Sequence, residues 1–236
     1  MLITFSAVHA QDKFSPDRPG LGNGTYVLQP KATYLETGVE YFEGGPVDQF
    51  SFGQVMFRHG ILPGAELRVQ LNSFVVQTQP RPLGDKTGMP DPGIGLKVDL
   101  MNRTNSPFRL SGLGSITIPA GYSPFSNDNY HPSGTLLADY QLSTNWSLSA
   151  NLGYTFGPVR RSDMVTLTIT PGFSVPDSDV SGYFGYASFL TGNSKEHFVE
   201  TGLTKMINSS LQIDVNGGYD LNSGNSFIGA GLAVKF

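Results

Sequence analysis

Residues 146–156 read WSLSANLGYTF. In an extended chain Trp146, Leu148, Ala150, Leu152, Tyr154 and Phe156 share one face, and Ser147, Ser149, Asn151, Gly153 and Thr155 share the other. Successive side chains of a strand point to opposite sides, so this alternation marks a strand with one apolar and one polar face. A tilted strand of about ten residues also crosses the hydrocarbon layer of a bilayer.

The pattern repeats in both directions from this segment. Leu211–Leu221 sets Leu211, Ile213, Val215, Tyr219 and Leu221 against Gln212, Asp214, Asn216, Gly218 and Asp220. Val165–Phe173 sets Val165, Leu167, Ile169 and Phe173 against three threonines. Ala65–Val75 sets Leu67, Val69, Leu71 and Val75 against Glu66, Arg68, Gln70 and Asn72, and Ile94–Leu100 alternates around Lys97 and Asp99. Weaker alternation covers Lys31–Tyr41, Gln49–His59, Phe108–Ile118, Gly134–Leu142, Val180–Thr191, His197–Met206 and Ser226–Phe236. The connections differ in kind. Leu62-Pro63-Gly64, Ser143-Thr144-Asn145, Pro176-Asp177-Ser178 and Asn208-Ser209 read as tight turns, whereas Val76–Pro92 and Ala120–Pro132 are long and polar. Counted from a periplasmic start, the tight turns fall on the periplasmic side and the long loops outside, as in outer-membrane barrels. The reading is all-β: a closed antiparallel up-and-down transmembrane β-barrel of about twelve strands over residues 31–236, in the bacterial outer membrane.

Composition agrees. Charged residues are 14% of the 236-residue chain, and 29 glycines take their place; a soluble domain carries about 25% charge. A lipocalin-like soluble barrel would need long charged side chains on its polar faces, and these faces favour Ser, Thr, Asn and Gly. No run of apolar residues is long enough for a spanning helix, so a membrane fold has to be a closed barrel. There is no cysteine, which excludes disulfides and thiolate metal sites. His9, His59, His131 and His197 are scattered without a metal-binding spacing, and a net charge of -4 offers no footprint for nucleic acid. No metal and no cofactor is expected.

The ends carry their own signals. Residues 1–10 (MLITFSAVHA) resemble the tail of a secretory signal, with small residues before a cleavage point near Gln11; a first strand is the other reading. Residues 11–30 are rich in Gly and Pro without a period and read as an irregular periplasmic lead-in or a plug. The C-terminus alternates back from Phe236 through Val234, with Gly231 before them, a pattern suited to recognition by the barrel-assembly machinery.

The polar faces should line the lumen. Their charged members are Glu36, Glu40, Arg58, Glu66, Arg68, Lys97, Asp99, Arg109, Asp139, Glu200, Asp214 and Asp220. Buried charges need partners, so these groups either pair to stabilise a closed interior or form a constriction that selects by charge and size. Arg58, Glu66 and Arg68 are expected to form a fixed network. Asp17 and Arg18, in the Pro-Gly lead-in, have the charges to dock among them as a plug.

Five stretches, in order, resemble the family described as putative MetA-pathway of phenol degradation: Asp17-Arg18-Pro19-Gly20, Glu36–Tyr41, Arg58–Ile61 with Glu66-Leu67-Arg68, Pro92–Lys97, and Gly229–Leu232. The resemblance implies an outer-membrane transporter-like barrel associated with degradation of aromatic compounds.

The functional expectation is a channel passively admitting small solutes, aromatic or hydrophobic ones among them, with membrane lipid, the assembly machinery and the solute as partners. The alternative is a closed structural or adhesive barrel acting through its outer loops. A third reading, a lipid-modifying enzyme, rests on the resemblance of His131, Ser133 and Asn145 to the catalytic set of outer-membrane phospholipase A. Roughly ten strand residues separate Asn145 from the other two, about 30 Å of chain. The chain is therefore expected not to be an enzyme. Ser126–Asn129 lacks the ligand spacing of a calcium loop.

Overall fold

The computed structural model describes residues 14–236 except 46, 81, 102–105, 159–162 and 193. The signal segment 1–10 and its cleavage point at Gln11 lie outside the described residues. Every regular element among the described residues is a strand, and the strands form one antiparallel sheet.

The segments are β1 (Thr33–Gly44), β2 (Val47–Phe52), β3 (Val55–Leu62), β4 (Ala65–Leu71), β5 (Phe74–Thr78), β6 (Lys86–Gly88) and β7 (Gly93–Asp99). They continue with β8 (Phe108–Thr117), β9 (His131–Gln141), β10 (Trp146–Thr155), β11 (Met164–Ser174) and β12 (Val180–Thr191). β13 (Lys195–Asn208), β14 (Leu211–Asp220) and β15 (Ser226–Lys235) complete the sheet. With β2 and β3, β4 and β5, and β6 and β7 each taken as one span, pairing runs in sequence order, and β15 returns to β1, from Tyr34 opposite Lys235 to Glu43 opposite Ser226. That closure removes both sheet edges, so each span hydrogen-bonds on both sides.

Three spans are interrupted, each made of two segments: β2 with β3, β4 with β5, and β6 with β7. Twelve spans result. The breaks fall at Gly53-Gln54, Asn72-Ser73 and residues 89–92, in three successive spans. At the first, the amides of Gly53 and Gln54 both donate to the Gly38 carbonyl, at 3.0 and 3.2 Å, and Gly53 takes φ 74°. Such a bulge puts two residues opposite one and shifts the alternation. This corrects the reading of Ala65–Val75 as one uninterrupted face. Val75 is buried on the inside, and Phe74 beside it faces out.

The outer wall is apolar. Leu152, Phe184, Val199, Leu203 and Val215 are all exposed and mid-span, where only lipid leaves such a surface stable. Aromatic residues ring both ends. Trp146 packs on Phe173 with Tyr140 and Phe108 nearby in the wall, and Tyr154, Phe156, Tyr41 and Phe74 ring the opposite rim. These belts match the two interfaces of a membrane. The protein is an outer-membrane barrel.

The end bearing the turns after β3, β9, β11 and β13 also holds both described chain ends of the barrel wall, Thr33 and Phe236, joined by Phe236 N donating to Thr33 O at 2.9 Å. Loop length separates the ends less strictly than expected. The links at 45–46 and 192–194 on the loop end are short, and the 100–107 link on the other end is not.

Val215→Arg should cost about 2–4 kcal/mol, since a charge at mid-bilayer meets hydrocarbon. Urea titration of the protein folded in lipid vesicles checks this, and an unchanged midpoint would mean that Val215 does not face lipid.

Candidate functional site: a plugged lumen

Alternation aims one cluster of charges inward. Glu36 lies on β1, Arg58 on β3, Glu66 and Arg68 on β4, and Lys97 on β7. Register places Arg58 directly opposite Arg68, and Glu66 opposite Lys97. Like charges opposite one another destabilise a sheet. This patch of wall carries three cations and two carboxylates, and its Arg58, Glu66 and Lys97 side chains are fully buried. Left so, it would hold one uncompensated buried positive charge, which costs several kcal/mol.

The lead-in segment supplies the missing carboxylate. Asp17 sits among the three cations, 2.8 Å from Arg68 Nη2, 3.0 Å from Lys97 Nζ and 3.5 Å from Arg58 Nη1. Arg58 also bonds Glu66 and Glu36, each at 2.9 Å, and its guanidinium lies over the Tyr34 ring. Burial pushes the Asp17 carboxyl up, but Arg58, Lys97 and Arg68 outweigh it and hold Asp17 well below the usual carboxylate range. A depressed folded value means that the contribution is present above the unfolded pKa and is lost only as pH falls through the folded one. Docking therefore persists through neutral and mildly acidic pH.

Arg18 reaches the opposite wall. Its guanidinium bonds Asp214 on β14 at 3.2 Å, and its backbone N–H donates to Glu36 at 3.0 Å. The guanidinium lies against Gly38 of β1 and Gly231 of β15, which face each other across the seam between first and last strands. A side chain at either glycine would occupy the guanidinium's space. Gly231, expected as part of an assembly signal, leaves room for the Arg18 guanidinium in the folded barrel.

The rest of the segment crosses the lumen on polar side chains from many spans. Leu21 N–H donates to Glu200, and Tyr183 O–H donates to the same carboxylate. Asn23 N–H donates to Asn151 Oδ1 at 2.6 Å, and Asn151 Nδ2 donates back to Asn23 O. Thr25 donates through both N–H and O–H to Asp139, and Ser111 donates to Thr25 O. Lys97 donates to the carbonyls of Gly24 and Tyr26, and Leu28 N–H donates to Glu66 at 2.9 Å. Just beyond, the backbone at Gln29 touches β3 at Gly60 so closely that no Cβ fits there.

Two voids remain. One, about 570 Å³, lies toward the loop end against β1 to β5. The other, about 380 Å³, lies toward the tight-turn end against β10 to β14. Asp17, Arg18, Gly20, Gly22 and Asn23 border both, so the segment is a thin septum between them. The larger void is bordered by the apolar side chains of Leu21, Met56, Val75 and Phe189 and by polar ones that include Gln49, Gln54, Gln70 and Asn72. The smaller is rich in hydroxyls: Ser149, Thr168, Thr170, Ser174, Ser181 and Thr204.

The structure thus gathers Asp17, Glu36, Arg58, Glu66, Arg68 and Lys97 into one network, pairs Arg18 with Asp214, and turns Asp139 and Glu200 onto the septum backbone. Glu40 lines the larger void and makes no ion pair among the described residues. Asp99 and Arg109 sit at the tight-turn rim, away from both voids. Asp220 faces inward by parity, but its oxygens accept from His197 N, Asn222 N and Ser223, so it caps a loop and lines no path. Val234 is in the outer face of β15, and Phe236 is exposed at its end. Asn151 and Gln212 hold the septum and stand on polar faces of the sequence pattern, where their neutrality hid them among neighbouring Ser and Thr. Asp91 gave no signal at all between two prolines; it is buried and accepts from Gly121 N and Asn127 N, anchoring the outer loop to a strand break. His131 and Ser133 point into the lumen near the loop end. Ser133 bonds Ser115 at 2.6 Å, and Asn145 lies at the far end of β9.

A family model described as putative MetA-pathway of phenol degradation matches residues 16–236. The chain belongs to this family. The matched range takes in Asp17 and Arg18. Among solved structures, the COG4313 outer membrane channel from Pseudomonas putida F1 superposes with a TM-score of 0.71 at 13% identity, covering 93% of this chain and 99% of that one. The KdgM porin gives 0.61 at 13% identity and the NanC porin 0.61 at 7%, each over 86% of this chain and 99% and 100% of theirs. These likenesses show a shared fold. A comparison with curated protein sequences gives no match.

Asp17→Asn should weaken plug docking by about 3 kcal/mol, because it leaves the excess cation buried. Adding Arg68→Met to that variant should restore much of the loss. Limited proteolysis of the folded barrel, read at the plug, reports both. Independently, Gly231→Val should expel the Arg18 guanidinium and lower the temperature at which the folded band disappears on semi-native gels, whereas Gly114→Val, where space is open, should leave it unchanged.

Proposed function

We propose that this barrel is a passive channel for small solutes across the outer membrane, with the Asp17–Leu28 segment as its constriction. The observation carrying this reading is the pair of voids in series. They lie toward opposite ends of the lumen, and among the described residues Asp17, Arg18, Gly20, Gly22 and Asn23 border both. A sealed structural barrel would be expected to fill its interior with side chains; here about 570 and 380 Å³ stay open.

Both linings mix apolar and hydrogen-bonding groups, which favours amphipathic solutes. Small aromatic compounds have that character, in keeping with the family description. The solved channel and porins of the same fold are consistent with a transport role. Passage would follow the concentration gradient, and assembly would use the C-terminal strand ending in Phe236. The lipid-modifying reading has little support, since Ser133 is engaged with Ser115 and Asn145 lies a strand's length from His131.

Planar-bilayer recording tests the channel. Wild type should give small discrete steps, altered by an aromatic solute, and deletion of residues 11–24 should raise the conductance several-fold. Folded protein that stays silent both with and without the segment would sink the channel reading and leave the closed barrel acting through its loops.

A further inference from the structure

The charges bordering the two voids are not equivalent. Arg18 and Arg68 are the cations that line them, and each is ion-paired, to Asp214 at 3.2 Å and to Asp17 at 2.8 Å. Of the lining carboxylates, Asp17 and Glu36 are paired with the wall cations. Two are not. Glu40 borders the larger void and Glu200 the smaller, and neither makes an ion pair among the described residues. Glu200 accepts only neutral donors, the N–H of Leu21 and the O–H of Tyr183. These two carboxylates without an ion pair stand one in each chamber, Glu200 with neutral donors alone and Glu40 within the field of Arg18 but not bonded to it.

A narrow route between low-dielectric walls concentrates such a field, so fixed charges of one sign exclude co-ions far more than they would in bulk water. We infer that Glu40 and Glu200 make this path a filter against anions, and that its solute is an uncharged molecule with one apolar face and a hydroxyl group. The rest of the lining agrees. Hydroxyls of Thr168, Thr170 and Thr204 offer neutral donors and acceptors, whereas a carboxylate would find every lining guanidinium already occupied. The inference rests on the channel reading and adds the class of solute.

The test uses full-length wild type in planar bilayers under a tenfold KCl gradient, with Glu40→Gln, Glu200→Gln and the double variant. Glutamine keeps the size and an acceptor, so the bonds to Leu21 and Tyr183 remain possible. Wild type should favour K⁺ over Cl⁻ by about tenfold, the low end of what such focusing gives. Each substitution should reduce the ratio and the double variant should bring it near unity. Asp177→Asn, in an exposed turn outside the lumen, should not change it. In the same bilayers benzyl alcohol should alter the current at concentrations at least tenfold below those needed for benzoate. Conductance without cation preference, or equal action of benzoate, overturns this inference and leaves the channel standing. Silence from folded wild type and from the form lacking residues 11–24 overturns the channel reading itself, and this inference with it.

Discussion

The interior of this barrel depends on one carboxylate that the barrel wall does not contain. Antiparallel pairing forces Arg58 and Arg68 into opposition, with Lys97 alongside, and Glu36 and Glu66 cannot balance all three. In a lumen this narrow the excess charge cannot reach bulk water, so it has to be met locally. Asp17 meets it from outside the sheet, by folding the leading segment into the pore. The plug is therefore part of the electrostatics of the barrel, and its removal exposes an imbalance as well as a path.

The neighbouring residue has a different task. Arg18 lies in a slot formed by two glycines that face each other across the seam between the first and last strands, β1 against β15. The slot exists only when that seam is zipped. Plug docking and barrel closure are thus geometrically coupled: Asp17 secures the segment to the β3–β7 wall, and Arg18 secures it to the seam. Between and beyond these anchors, carboxylates and amides of β9, β10 and β13 hold backbone N–H groups that would otherwise be buried without partners. Gly20 passes close to Tyr183, and Gly22 close to Thr168 and Asn151, where a side chain would crowd the wall.

Membership of the family is shown by the match over residues 16–236, and the architecture is shared with outer-membrane channels and porins. What distinguishes this lumen is how its charges are distributed. Where cations occur they are occupied, and where the voids are bordered by unpaired charge it is acidic. Glu40 and Glu200 stand apart from the paired charges: neither makes an ion pair among the described residues, although Arg18 is near enough to Glu40 to act on it.

Alternation in WSLSANLGYTF and its repeats determined the barrel, its strand number and the direction in which most side chains face, because a period of two is a local property of an extended chain. The charged lumen residues were legible for the same reason, and the complementary pair Asp17-Arg18 was legible as a candidate plug. The three strand breaks were not. A bulge leaves composition unchanged and shifts the pattern by a single residue, which is how Val75 came to be read on the wrong face. Nor could one sequence show which charges pair, since Asp17 with Arg68 and Arg18 with Asp214 join residues far apart in the chain. Only closure of the sheet brings them together. Asp220 and Asp99 alternate as Asp214 and Lys97 do, yet their positions near strand ends remove them from the path. Local periodicity set which way most residues point between the breaks, and the register of the closed barrel decided what they meet.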